Sequence, residues 1–173
     1  MPVLRPAIPE DVADLARFAQ EMYVDTFVRG FGIAYPEADL DAFLAETCSP
    51  EAFAAMAADP AYDVRLLRDA AGVAAYAVAG PPSLPHPDVR PAHGEIKRFY
   101  LRPDQQSSGL ARAALEELLR DLDPEGRRTL WLSVWEGNVR AQRFYARYGF
   151  EKAGTYDYPV GAHIDLDFIY RRG

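Results

Sequence analysis

Apolar and polar positions along the chain repeat with two different periods, and each change of period marks a predicted element. Alternating positions predict strands, and apolar positions three or four apart predict helices. Strands are predicted at 3–7, 63–68, 72–79, 95–101, 129–135, 151–158 and 163–170. Helices are predicted from Pro9 to an end within 27–32, at 36–45, 50–58 and 110–122, and after Asn138. This order predicts one α/β domain over 1–173, with a mixed central sheet of about seven strands flanked by helices.

The fourth predicted strand, GEIKRFYL, has no clean apolar face. Strict alternation puts Ile96 on one face and both Phe99 and Leu101 on the other. One extra residue near Lys97 or Arg98 would bring all three apolar residues to the same side, which predicts a β-bulge. Such a bulge would splay this strand from its neighbour and leave backbone groups free to bind a ligand.

The helix after this strand begins at a run of small and polar residues. The run consists of Gln106, Ser107, Ser108, Gly109, Leu110 and Ala111. The N-terminus of a helix has free N–H groups and a positive dipole end, so it favours an anion. Small side chains let a phosphate approach the backbone. The run therefore predicts a pyrophosphate cradle, with an ordinary helix start as the alternative, and the chain has neither G-x-x-x-x-G-K-[ST] nor G-x-G-x-x-G.

Composition narrows the class of protein. The chain has 173 residues, 49% of them hydrophobic, which predicts a globular domain. Its net charge of −7 argues against a nucleic-acid binder with a broad basic face. No apolar run is long enough for a membrane span, and the three histidines lack metal-ligand spacing. A single cysteine, Cys48, excludes an internal disulfide and makes a cytoplasmic location the default expectation.

The charge is spread unevenly along the chain. Residues 1–93 contain 14 acidic and 6 basic residues, a net charge of −8. Residues 94–173 contain 12 acidic and 13 basic residues, a net charge of +1. An acidic half would attract a cationic substrate, and solubility alone is the competing explanation. The proline-rich loop at 81–93 either walls a substrate site or only connects two strands.

Two motifs together resemble the GNAT superfamily of N-acetyltransferases. The first is QSSGLA, and the second is LWLSVWEGNVRAQRFYARYGF, about twenty residues later. The resemblance covers most of the chain and implies the GNAT fold, with the sheet splayed at a bulged fourth strand, and acetyl-CoA as co-substrate. GEIKRFYL and the tail at 154–172 also look like bacterial spermidine or diamine acetyltransferases. Exposed sheet edges leave a homodimer open.

The chemistry that the resemblance implies needs an acid and a base. Tyr145 occupies the position of the family's general acid, which protonates the departing CoA thiolate. Glu95, at the start of the bulged strand, is the candidate base or the holder of a relay water. The competing interpretations are a core aromatic for Tyr145 and a surface acid paired with Lys97 for Glu95.

The resemblance also implies residues that bind the two substrates. The edge of the bulged strand, Phe99, Tyr100 and Leu101, pairs with the pantetheine arm, and Asn138 bonds the pantetheine or caps its own helix. Tyr23, Thr26 and Phe27 are candidates for the amine site, with core packing as the alternative. Asp157, Asp165 and Asp167 are carboxylates that a polyamine site would use, although strand alternation explains the last two equally well.

The resulting prediction is an enzyme that transfers acetyl directly from acetyl-CoA to a small primary amine. The resemblance and the acidic half favour a polyamine or diamine. Other acceptors are an amino acid, an aminoglycoside or a protein N-terminus. Two alternatives from other classes are a CoA-binding regulatory module without transfer and a dimeric interaction protein built on the same scaffold.

Overall fold

The computed structural model describes residues 3–173 and arranges seven strands in one mixed sheet. The strands are β1 (Arg5–Pro6), β2 (Asp63–Asp69), β3 (Gly72–Gly80), β4 (Gly94–Leu101), β5 (Leu130–Trp135), β6 (Glu151–Val160) and β7 (His163–Arg172). Their spatial order is β1-β2-β3-β4-β5-β7-β6. The β4–β5 pairing is parallel and the other pairings in this sheet are antiparallel. The predicted mixed sheet of about seven strands is confirmed.

Five α-helices cover the two faces of the sheet. They are α1 (Val12–Tyr23), α2 (Glu37–Thr47), α3 (Pro50–Ala58), α4 (Leu110–Leu122) and α5 (Val139–Ala146). On one face, Leu115 of α4 and Tyr145 of α5 share a core with Leu132 of β5. On the other face, Leu15 of α1 and Phe53 of α3 pack with residues of β2 and β3. Apolar stripes at helical spacing thus form the two cores that the pattern predicts.

The first strand is shorter than the predicted range of 3–7. The N–H groups of Val3 and Leu4 donate to the carboxylate of Glu117 on α4, at 2.7 and 3.1 Å, instead of to a neighbouring strand. Glu117 is buried, and its carboxylate is well placed to accept these two donors. Sheet pairing is therefore restricted to Arg5–Pro6. The start of the chain is anchored to a helix.

The helical structure after Pro9 ends within the predicted range but changes type first. After Tyr23 the chain continues as a π-helical segment, Val24–Gly30. Phe31 N–H donates to the carbonyl of Thr26 at 3.0 Å, which is the five-residue spacing of a π-helix. Segments of this kind often occur at functional sites, and Thr26 and Phe27 lie within this one.

The bulge predicted in the fourth strand is confirmed. Arg98 pairs with Val78 and Ile96 pairs with Ala79, so Lys97 is the extra residue of β4. Pairing between β4 and β5 is confined to their first residues, Gly94 and Glu95 on the β4 side. Beyond those residues the two strands separate. The structure therefore has the predicted splay at the centre of its sheet.

Candidate active site

A cavity of about 160 Å³ lies where β4 and β5 separate. Residues of α1, the π-helical segment, β4, β5, α5, β6 and β7 form its walls. Seven of the predicted site residues border it: Tyr23, Thr26, Phe27, Phe99, Tyr100, Asn138 and Tyr145. The other predicted site residues lie outside its lining: Glu95, Leu101, Gln106, Ser107, Ser108, Gly109, Leu110 and Ala111. The fold thus gathers the predicted acid and the predicted amine site around one opening.

Tyr145 is held at this cavity by the two ends of α5. At the start of the helix, the Asn138 side chain accepts the N–H of Ala141 at 3.0 Å, which is the predicted cap. At the end, Gly149 adopts a φ of +81°, and Phe150 folds back so that its ring lies 5.8 Å from that of Tyr145. Burial raises the pKa of Tyr145 above its usual value. The hydroxyl group therefore stays protonated at neutral pH and is able to donate.

The loop before α4 has the backbone conformation of an open anion cradle. Ser107 and Gly109 have φ values of +69° and +88°. The Ser108 hydroxyl donates to the carbonyl of Gln105 at 2.7 Å and accepts the N–H of Leu110 at 3.2 Å. Within residues 3–173, the N–H groups of Gly109, Ala111 and Arg112 have no hydrogen-bond acceptor. Free N–H groups at the start of a helix are suited to a phosphate.

Glu95 is buried away from the cavity under the proline-rich loop. Its carboxylate accepts the N–H of Ser83 at 2.6 Å and the hydroxyl of the same residue at 3.3 Å. Lys97 completes the cluster, with its ammonium 3.3 Å from Glu95 and 2.8 Å from the Ser83 hydroxyl. The loop is packed against the sheet, since Leu84 is buried with Trp131. The predicted base is therefore engaged by three partner groups in this structure.

Two other carboxylates border the cavity, Asp165 and Asp167 of β7. Tyr35 donates to Asp165 at 2.6 Å, and the His163 ring nitrogen lies 3.1 Å from the same carboxylate. Ser133 donates to one oxygen of Asp167 at 3.2 Å. Burial is the main cause that raises the pKa of Asp167 to about 6; the Ser133 hydrogen bond opposes the shift and the charge of Asp165 adds to it.

Aromatic rings form the wall on the α1 side of the cavity. The ring centroids of Tyr23 and Phe27 lie 4.7 Å apart, and the ring centroids of Phe31 and Trp135 of β5 lie 4.8 Å apart. The residue that follows the π-helical segment therefore contacts the strand on the other side of the splay. An opening with aromatic walls and two carboxylates suits a cation that also has apolar surface.

Comparison with known families agrees with this geometry. The sequence profile described as "Acetyltransferase (GNAT) family" matches residues 18–150, well over half of the chain. This chain belongs to the GNAT family. The matched range includes the second half of α1, the bulged β4, the loop before α4, and α5 with Tyr145.

Curated GNAT relatives resemble the chain to different extents. An uncharacterized N-acetyltransferase of Mycobacterium tuberculosis is 37% identical over 78 residues, 45% of this chain, so the match spans 50% of that relative's length. An uncharacterized N-acetyltransferase from the pepI 3′ region of Lactobacillus delbrueckii subsp. lactis is 27% identical over 94% of this chain and 92% of its own length. The ribosomal protein bS18-alanine N-acetyltransferase of Escherichia coli K12 is 45% identical over 51 residues, 30% of this chain and 34% of that protein.

Solved GNAT structures share the whole fold. The PaiA N-acetyltransferase of Thermoplasma acidophilum, in complex with coenzyme A, superposes with a TM-score of 0.74 at 20% identity, over 98% of this chain and 96% of that chain. Among residues 3–173, no helix combines the length and the apolar character that crossing a bilayer requires.

GNAT acetyltransferases use acetyl-CoA, and the free N–H groups before α4 are chemically suited to its phosphates. Apart from its chain neighbours, a Cβ placed on Gly109 would meet no atom of the described residues within 4 Å, so the space beside this glycine is open. Arg140 of α5 donates to the side chain of Gln106 and so connects the cradle to the helix that bears Tyr145.

Sequence reasoning left the roles of Asp165 and Asp167 undecided. Strand alternation predicts that both share a face, but it does not say whether that face is buried. The next residue on this face is the apolar Ile169, which is fully buried. An apolar residue in line with the two aspartates was the signal in the sequence that this face of the strand is buried. Asp157 of β6, the third carboxylate considered, is exposed.

Proposed function

We propose that this chain is an N-acetyltransferase that moves the acetyl group of acetyl-CoA directly to a primary amine. The observation that carries the proposal is the cavity at the splay, which is bordered by Tyr145, by two carboxylates and by aromatic rings, in a chain whose loop before α4 has free N–H groups. Membership of the GNAT family supports acetyl-CoA as the acetyl donor. The aromatic rings and the two carboxylates at the cavity support an acceptor amine that arrives as a cation.

The donor would be held along β4 and at the start of α4. The cradle N–H groups of Gly109 and Ala111 would take the pyrophosphate, with Gln106, Ser107, Ser108 and Leu110 shaping the loop. The splayed edge at Phe99, Tyr100 and Leu101 would pair with the pantetheine arm, since pairing between β4 and β5 stops at Glu95 within the described residues. The Asn138 side chain uses its oxygen for the helix cap, and its amide N–H₂ has no acceptor among residues 3–173, so it would bond the same arm.

Acetyl-CoA supplies the activated acetyl thioester. Tyr145 would give its proton to the CoA thiolate when the carbon–sulfur bond breaks. Backbone N–H groups between Phe99 and Leu101 would stabilise the negative charge on the carbonyl oxygen. Tyr23, Thr26 and Phe27 would position the amine.

The acceptor that we favour is a polyamine or diamine. Support comes from the two carboxylates at the cavity, the aromatic wall and the net charge of −8 on residues 1–93. The second candidate is a protein N-terminus, favoured by the likeness of 51 residues to the bS18-alanine N-acetyltransferase of Escherichia coli. A cytoplasmic location and a homodimer formed through a sheet edge stay predictions.

The test measures release of free CoA thiol from acetyl-CoA against a panel of acceptors. The panel contains spermidine, spermine, putrescine, an aminoglycoside, several amino acids and a peptide with an N-terminal alanine. Turnover on the polyamines alone would support the favoured acceptor, and turnover on the peptide alone would support the second. Binding of acetyl-CoA without turnover on any amine would contradict the proposed transfer and favour a regulatory CoA-binding module.

A further inference from the structure

An amine acceptor reaches the site as an ammonium and must lose a proton before its nitrogen can attack the thioester. We propose that Asp167 accepts this proton and is therefore a catalytic residue. The inference rests on the proposed function, because it assigns a step of that same transfer. It differs from the expectation that Glu95, at the start of the bulged strand, is the base or holds a relay water.

The first argument is the position of Asp167. In the sheet register it lies between Trp135 of β5 and Tyr156 of β6. It borders the same cavity as Tyr145, so the proton acceptor and the proton donor face one opening. Glu95 does not border that cavity and is already engaged by Ser83 and Lys97.

The second argument is a free acceptor atom. The side chain of Asp167 is about nine-tenths buried, with 9% of its surface exposed. Its Oδ2 accepts from Ser133, while its Oδ1 has no hydrogen-bond partner among residues 3–173. Among the described residues, the fully buried side-chain atom without a partner is a guanidinium nitrogen of Arg172, so this oxygen of Asp167 is accessible from the cavity. An ammonium in the cavity would supply its missing partner.

The third argument is the balance between burial and charge around Asp167. Burial and the neighbouring Asp165 favour the protonated form, so the pKa of about 6 makes Asp167 a stronger base than an ordinary aspartate. At pH 7 to 8 the carboxylate is still ionised and ready to accept. A catalytic base works best with a pKa near the working pH.

Other titratable groups surround Asp167, and the test must separate them. They are Asp165 and His163 on β7, Tyr156 and Tyr158 on β6, Glu95, Lys97 and Arg98 on β4, Tyr145 on α5, and Tyr23 and Tyr35 on the α1 side. Histidine is the residue type that most often titrates in the same range as the expected transition. His163 is therefore the required control.

The proposed step balances in protons and bonds. The ammonium gives one proton to Asp167, and the nitrogen lone pair forms the new bond to the thioester carbon. The carbon–sulfur bond breaks, and Tyr145 protonates the thiolate. Tyr145 recovers a proton from the nitrogen, and Asp167 releases its proton to solvent. The net products are an acetamide, free CoA thiol and one proton.

The test is the pH dependence of kcat/KM for the best amine of the panel, between pH 5 and 9. Wild type should lose activity as the pH falls through about 6, because Asp167 becomes protonated. Asp167→Asn should lower kcat/KM at pH 8 by about 100-fold. The kcat/KM of this variant should instead rise about tenfold for each unit of increasing pH, because the variant depends on the small fraction of neutral amine. Glu95→Gln and His163→Gln should both keep the transition near pH 6.

A second measurement uses an amine that needs no base. A β-fluorinated analogue of the same acceptor, neutral at pH 8, should reduce the defect of Asp167→Asn to less than about tenfold. A defect of equal size on both amines would show a structural role and overturn the assignment. Binding of acetyl-CoA at wild-type affinity checks that the variant is folded, and Asp167→Glu should restore the transition.

The outcomes also separate the two proposals. If wild type turns over and Asp167→Asn keeps the transition near pH 6, the Asp167 assignment is wrong and the proposed function stands. If Glu95→Gln alone removes the transition, Glu95 is the base. If wild type acetylates no amine, the proposed function is wrong and the assignment falls with it.

Discussion

Replacing Tyr145 by phenylalanine removes one oxygen atom from the candidate active site and leaves the packing in place. The ring of Tyr145 packs edge-on against Phe150 and Phe144, contacts that phenylalanine would retain. The hydroxyl oxygen has no hydrogen-bond partner among residues 3–173, so its loss breaks no bond within the protein. Stability should therefore change by less than about 0.5 kcal/mol, or about 2 °C in Tm.

The effect on turnover should be far larger than the effect on stability. A positioned general acid typically contributes about 10² to 10⁴ in rate. Each factor of ten corresponds to about 1.4 kcal/mol of transition-state stabilisation, so the loss should be about 2.7 to 5.4 kcal/mol. Affinity for acetyl-CoA should stay within about twofold, because the cradle and the β4 edge are unchanged.

The assay is thiol release at saturating acetyl-CoA, combined with titration calorimetry for the donor and a thermal scan. Tyr148→Phe is the matched control, since it removes a phenol hydroxyl from the same segment outside the cavity lining. An unchanged kcat in Tyr145→Phe, with a folded protein, would remove Tyr145 from the mechanism. A large loss of donor affinity would instead make it a binding residue.

Three further substitutions test the cradle and the fold. Gly109→Val should abolish acetyl-CoA binding in calorimetry, because the new side chain fills the open cradle at a φ of +88°. Glu117→Gln should lower the free energy of unfolding in urea by about 1 to 3 kcal/mol, because glutamine has one acceptor oxygen instead of two and one of the two backbone N–H groups loses its acceptor. Ser49→Ala should lower it by about 1 kcal/mol without changing turnover, since the N-cap of α3 is lost.

Matched variants make these results decisive. Gly126→Val has a similar positive φ and equally open space, but it lies outside the cradle, so it should bind acetyl-CoA normally. Normal binding by a folded Gly109→Val would move the pyrophosphate elsewhere. Glu116→Gln, on the exposed face of α4, should be nearly neutral, and equal losses in both glutamine variants would contradict the role of Glu117. Ser49→Asp should restore the cap.

Features that depend on near neighbours were predictable from the sequence. The mixed polarity of β4 predicts a bulge near Lys97 or Arg98, because side-chain alternation is a local rule, and the structure has it at Lys97. Asn138 predicts the start of α5, because N-cap positions have strong residue preferences. The order of the elements then leads to the α/β sheet.

Features that depend on distant segments were not predictable. Glu95 looks like a free acid beside Lys97, and the hydrogen bonds that engage it come from Ser83, twelve residues earlier. Asp167 looks like the polar face of a strand, and its burial depends on β5, β6 and the α1 side together. The two-residue length of β1 depends on Glu117, more than a hundred residues away.

The shape of the aromatic wall on the α1 side of the cavity depends on the number of residues in the π-helical segment. A π turn contains one residue more than an α turn, and its tight return leaves only 2.9 Å between the Asp25 carbonyl oxygen and a Cβ on Gly30. Deleting one residue from this segment would remove the extra residue of the π turn, so the chain would continue as an α-helix and its last residues would occupy different positions. Phe31 would then turn away from Trp135. A single deletion, with every side chain around the cavity retained, would be a short evolutionary route to a different acceptor.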